Sequence, residues 1–79
     1  RIAANNATGE LIVAYAAPSD GKTHFKKIAV QTGEVSDLSM ATPEGILATG
    51  LAVSTDGAKV YAAGYNPSGQ PTFNILPIN

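Results

Sequence analysis

Six carboxylates, one imidazole and three phenols are the side chains in this sequence that could do chemistry. The acids are Glu10, Asp20, Glu34, Asp37, Glu44 and Asp56. Any two held across a cleft could divide general acid and general base work between them. Asp20 and Asp56, however, stand in Ser19-Asp20-Gly21 and Ser54-Thr55-Asp56-Gly57, where a carboxylate commonly serves its own turn. His24 could act as a general base, but the sequence offers it no Ser or acid at a dependable spacing, so its plain role is structural. The serines, Ser19, Ser36, Ser39, Ser54 and Ser68, stand outside any nucleophile elbow, and there is no Gly-rich phosphate loop. Tyr15, Tyr61 and Tyr65 could stack on a sugar ring or, more plainly, fill space between sheets. Asn6-Ala7-Thr8 fits the N-glycosylation pattern, which matters only in a secreted eukaryotic protein. No residue is assigned to catalysis or to metal, and no cofactor is expected. If the loops bind a ligand, the residues it meets are Tyr15, Asp20, His24, Tyr65 and Asn66.

Short strands and tight turns must position these side chains. The clearest stretch is Leu51 to Tyr65, two apolar runs around Thr55-Asp56-Gly57. Asp-Gly between apolar runs predicts a hairpin, because Gly57 takes positive φ without steric cost. Val60 to Tyr65 is apolar on both parities, and so is Glu10 to Ala16 after its first residue. A strand with one wet face alternates, so both are expected to be covered on two sides. Ala62, Ala63 and Gly64 are small enough to let a neighbouring sheet come close. Further strands are expected at Ile2 to Ala4, His24 to Val30, Glu34 to Leu38 and Thr72 to Ile78. Lys26-Lys27 marks a bulge or a wet face. Glu34 to Leu38 is polar enough for a sheet edge, and Pro77, which cannot donate to a ladder, places the last strand at an edge. Residues 39–50 read as a connector, with Pro43 and Gly45 inside it.

Seventy-nine residues make one small domain, and such a chain buries only about 60% of its unfolded surface. Small domains usually recruit disulfides, metals or partner chains. With no cysteine and a single histidine, neither a disulfide nor a cysteine- or multi-histidine-ligated metal is available. Apolar residues make up 44%, but alanine supplies much of that and there is no Trp. The large apolar side chains are few, which points to burial against more protein than the chain contains. A net charge of −1 argues against nucleic acid and anionic membranes as partners. No apolar run approaches the roughly 20 residues of a membrane span. A start at Arg1 without Met, and without a signal peptide, suggests a processed product or a part of something longer. Few lysines with abundant Ala, Gly, Ser, Thr and Asn suggest an extracytoplasmic location, whether secreted, periplasmic or at the surface.

The two halves also match each other. Ile2-Ala3-Ala4 aligns with Leu51-Ala52-Val53, Gly9 with Gly57, Ile12-Val13-Ala14 with Val60-Tyr61-Ala62, and Pro18-Ser19 with Pro67-Ser68. Phe25 aligns with Phe73 and Ile28 with Leu76, so every step is 48 or 49 residues. A period of about 40 to 50 residues built of short strands is the mark of propeller blades.

Leu51 to Gly64, LAVSTDGAKVYAAG, resembles the "LAVSPDGKKVYVA" line of YVTN-type and related β-propeller repeats, where this hairpin joins the first two strands of a blade. Ile28 to Val35, IAVQTGEV, is similar to the turn between the third and fourth strands of the same repeats. Ser19 to Phe25 has a looser likeness to the Asp-box of sialidase-type propellers. It lacks the full spacing between Ser, Asp and Gly, and Phe25 stands where Trp is usual. The resemblance implies an all-β fold: antiparallel blade-like sheets of a β-propeller, incomplete in this chain. Residues 1–38 would be the first blade, lacking part of its first strand, 39–50 the inter-blade connector and 51–79 a second, incomplete blade. A propeller needs about four to eight blades. The expected role is therefore a non-catalytic binding or structural module, completed by further copies or a companion chain, with contacts made by the loops at the blade ends. A lectin-like carbohydrate binder is one alternative. The other is a small subunit or cleaved fragment of a propeller enzyme whose chemistry lies on another chain.

Overall fold

A computed structural model describes residues 1–43 and 45–78. Every regular element among them is a β-strand: β1 (Ile2–Asn5), β2 (Glu10–Ala17), β3 (Lys22–Ala29), β4 (Glu34–Ala41), β5 (Leu47–Val53), β6 (Lys59–Tyr65) and β7 (Pro71–Pro77). The all-β, antiparallel expectation holds. The strands form two meanders, a four-stranded sheet A in the order β1-β2-β3-β4 and a three-stranded sheet B in the order β5-β6-β7. β4 and β7 are edge strands, as the polar Glu34 to Leu38 stretch and Pro77 predicted. The connector is shorter than 39–50, because β4 runs on to Ala41 and β5 begins at Leu47.

Local sequence explains the turns. Gly57 has φ +75°, and its amide donates to the Ser54 carbonyl at 3.0 Å. Asp56 Oδ1 accepts from Ser54 Oγ at 2.6 Å and from the Ala58 amide at 3.0 Å, which closes the hairpin. A Cβ on Gly57 would also stand 2.7 Å from the Asn5 side-chain oxygen and from Ala7 Cβ, so this turn touches the β1–β2 turn of the other sheet. Asn5, buried in sheet A, donates from Nδ2 to the Gly57 carbonyl at 3.2 Å. Gly64 answers a different demand from the one its sequence context suggested. A Cβ there would overlap the Leu47 carbonyl, so its smallness lets β5 of its own sheet approach, not a neighbouring sheet.

The two sheets lie face to face, with β1 beside β5 and β4 beside β7. Between them sit Ile12, Ala14, Phe25, Leu38 and Met40 from sheet A, with Val60 and Ala62 from sheet B. Leu51, Val53, Leu76 and Ile78 pack around this core. It is small, as the composition required. The expectation that β2 and β6 are covered on both faces is met on one face only. Val60 and Ala62 are buried, while Ala63 and Tyr65, on the other parity of β6, are exposed. Ile12 and Ala14 are likewise buried while Tyr15 is open to solvent. None of the three tyrosines lies between the sheets: all are on outward faces, Tyr61 stacked on Phe73 with ring centroids 6.2 Å apart. β3 and β4 shift register between His24 and Lys26, so the Lys26-Lys27 stretch does adjoin an irregularity. Lys26 then turns outward to Asp37 at 2.9 Å, and Lys27 approaches Glu10 at 3.8 Å.

Candidate functional site

The five residues singled out for ligand contact fall into two groups at one end of the sheets. Tyr15, Asp20 and His24 come together because β2 and β3 pair antiparallel, with Tyr15 opposite His24. The β2–β3 turn brings Asp20 back over His24, so that the imidazole Nε2 lies 2.7 Å from Asp20 Oδ2. The histidine therefore has the acid partner that the sequence did not show. The Tyr15 ring is tilted against the imidazole at a centroid separation of 5.9 Å. Lys26 Nζ also stands 5.6 Å from the phenol centroid, where a cation is drawn to the ring face. Lys26 is in turn paired with Asp37, which holds its pKa above the ordinary lysine value. The result is a continuous chain across the outward face of sheet A: Asp20, His24, Tyr15, Lys26, Asp37.

Asp20 is committed to its own turn as well. Its Oδ1 accepts from the Lys22 amide at 3.0 Å. That bond first, then the one with His24, holds its carboxyl below the usual carboxylate range. Asp56 is lowered in the same way, by Ser54 Oγ and then the Ala58 amide. Both aspartates thus have the turn role weighed for them. A hydrolytic dyad would need a nucleophile aligned with the histidine, whereas His24 meets a carboxylate and a phenol ring. Among the described residues, no cluster of three or more His, Asp or Glu side chains could hold a metal ion.

Tyr65 and Asn66 belong to the second group. They border a cleft of about 380 Å³ between the ends of the two sheets, lined also by Gly21, Gly45, Leu47 and Pro67. The lining is apolar and Tyr65 is half exposed. Asn66 points its polarity elsewhere: its Oδ1 accepts from the amides of Ser68 at 3.0 Å and Gln70 at 2.9 Å, and its Nδ2 donates to Gln70 Oε1 at 3.1 Å. An adjoining cleft of about 310 Å³ reaches Tyr15 and shares Leu47 and Thr49 with the first.

What positions both groups is a polar lock that the sequence did not reveal. The Thr23 amide donates to Thr42 Oγ1 at 2.9 Å, and the Thr42 amide to the Thr23 carbonyl at 3.0 Å. Both hydroxyls donate to the Ile46 carbonyl, at 3.2 and 2.9 Å, and Thr23 Oγ1 accepts from the Ala48 amide at 3.0 Å. Thr23 and Thr42 are buried. They tie the start of β3, the end of β4 and the start of β5 together at the cleft mouth. No sequence signal joins them, since two threonines 19 residues apart form no motif.

No protein-family model, no curated protein and no solved structure matches this chain. No described helix is long and apolar enough to cross a membrane.

Proposed function

We propose that this chain is a non-catalytic binding or structural module of β-propeller type, its two sheets acting as blades that further copies or a partner chain complete. The observation that carries it is the outward face of sheet B. Phe73 is 62% exposed, Ile75 54% and Tyr65 53%, on a three-stranded sheet whose other face is already buried against sheet A. An apolar patch of this size on a protein surface often marks an interaction site. Both sheets are antiparallel meanders with strands in chain order, which supports a repeated unit. β7 also leaves an open sheet edge on which an added strand could pair. An extracytoplasmic location fits this module. The test is its native mass by sedimentation velocity across a range of concentrations. Assembly above the monomer, or capture of one companion chain at fixed stoichiometry, is the expected result. A compact monomer at every concentration overturns the proposal.

A carbohydrate-binding role has one observation in its favour, the apolar cleft beside exposed Tyr65, whose volume falls within the range of small-ligand sites. If this cleft binds sugars, a glycan array detects binding that Tyr65→Ala abolishes; an array without signal removes this second role.

A further inference from the structure

On the repeat proposed above, the internal contact between the sheets joins two unlike surfaces of one unit. With Phe25 matched to Phe73, the pairing registers lead to this. In sheet A, Ala14 pairs with Phe25 and Leu11 with Ile28. In sheet B, Ala63 pairs with Phe73 and Val60 with Leu76. Matching Phe25 to Phe73 therefore sets Ala14 on Ala63 and Ile12 on Tyr61, one residue away from the alignment that sequence similarity suggests. Two faces follow from this match. The first holds Ile12, Ala14 and Phe25 in sheet A, and Tyr61, Ala63 and Phe73 in sheet B. The second holds Leu11, Val13 and Ile28 in sheet A, and Val60, Ala62 and Leu76 in sheet B. Within the chain, the first face of sheet A covers the second face of sheet B. Phe25 is thereby fully buried, while its counterpart Phe73 is 62% exposed.

What remains uncovered is the first face of sheet B and the second face of sheet A. These are the two surface types that already meet inside the molecule. We infer that the outward face of sheet B docks on the outward face of sheet A of a second copy, repeating the internal contact. The inference rests on the assembling-module reading above. Continuity supports it, since the docking would repeat the face-to-face contact already made inside the chain. The face offered by sheet B carries one ionised side chain, Lys59, while on the receiving face Lys26 is already paired with Asp37 and His24 with Asp20. Because unlike faces meet, the contact is heterologous and does not stop at a dimer: it closes into a ring or continues as an open stack.

Complementation tests this. Phe73→Asp breaks the face offered by sheet B, and Val13→Asp breaks the face that receives it. Each variant alone is expected to sediment as a monomer. Mixed together they are expected to form a one-to-one dimer and nothing larger, since each retains the face that the other lacks. A wild-type monomer sinks this inference and the assembly reading together. A wild-type oligomer that Val13→Asp leaves unchanged overturns the inference alone, because the exposed face of sheet B would then be meeting something other than sheet A. Should either charged variant fail to fold, single cysteines serve, as the chain has none of its own. Phe73→Cys mixed with Val13→Cys is expected to cross-link into mixed dimers in preference to either self-pair. Equal or dominant self-pairing overturns the inference.

Discussion

Asp20 shows how one carboxylate holds a turn and orients a neighbour. It bonds the Lys22 amide and His24 at once, and its pKa lies below the ordinary aspartate value. The sign of the pH effect follows. The unfolded carboxyl takes up a proton first as pH falls, so the stabilisation is complete above about pH 4 and is lost as pH drops through the folded value. Asp56 contributes with the same sign. We expect Tm to fall below about pH 4, and Asp20→Asn to flatten part of that acid limb while lowering Tm modestly at neutral pH. An acid limb identical in the variant would remove Asp20 from this role. The turn function of both aspartates was legible in the sequence, because an Asp beside Gly bonds backbone within two residues. The His24 partnership was harder to read, since it depends on the β2–β3 turn folding Asp20 back over the next strand.

At the scale of elements, the meander of each sheet was readable from apolar runs punctuated by Gly turns. Two boundaries were not. β4 and β5 extend into the expected connector because the Thr23–Thr42–Ile46 lock gives that backbone buried partners. Replacing Thr23 by Val keeps the shape but leaves the Ala48 amide without an acceptor. The expected cost is about 1–3 kcal/mol, read as a lower midpoint in urea with little change in slope. A midpoint equal to that of wild type would mean the lock contributes nothing. The β5–β6 pairing is constrained by Gly64, where any side chain would meet the Leu47 carbonyl.

For the whole molecule, the deciding quantity is the ratio of core to exposed apolar surface. Among the described residues, seven form the buried hydrophobic core, while Ile2, Tyr15, Val30, Val35, Leu47, Tyr65, Phe73 and Ile75 remain exposed. A chain of this length is marginal by itself, so any copy that covers the outer faces adds stability by mass action. Tm is therefore expected to rise with protein concentration in calorimetry, and to become independent of concentration in Phe73→Asp. A concentration-independent Tm in the wild-type chain would contradict the link between assembly and stability.

By itself the sequence determined the strands, the turns and the shortage of core, because each follows from residues near one another and from composition. Only the tertiary structure decided which face of each strand is covered, because a one-residue change in register sends every side chain to the opposite side. It alone also brought Asp20 to His24 and Thr23 to Thr42, since both meetings depend on how the chain folds back across neighbouring strands.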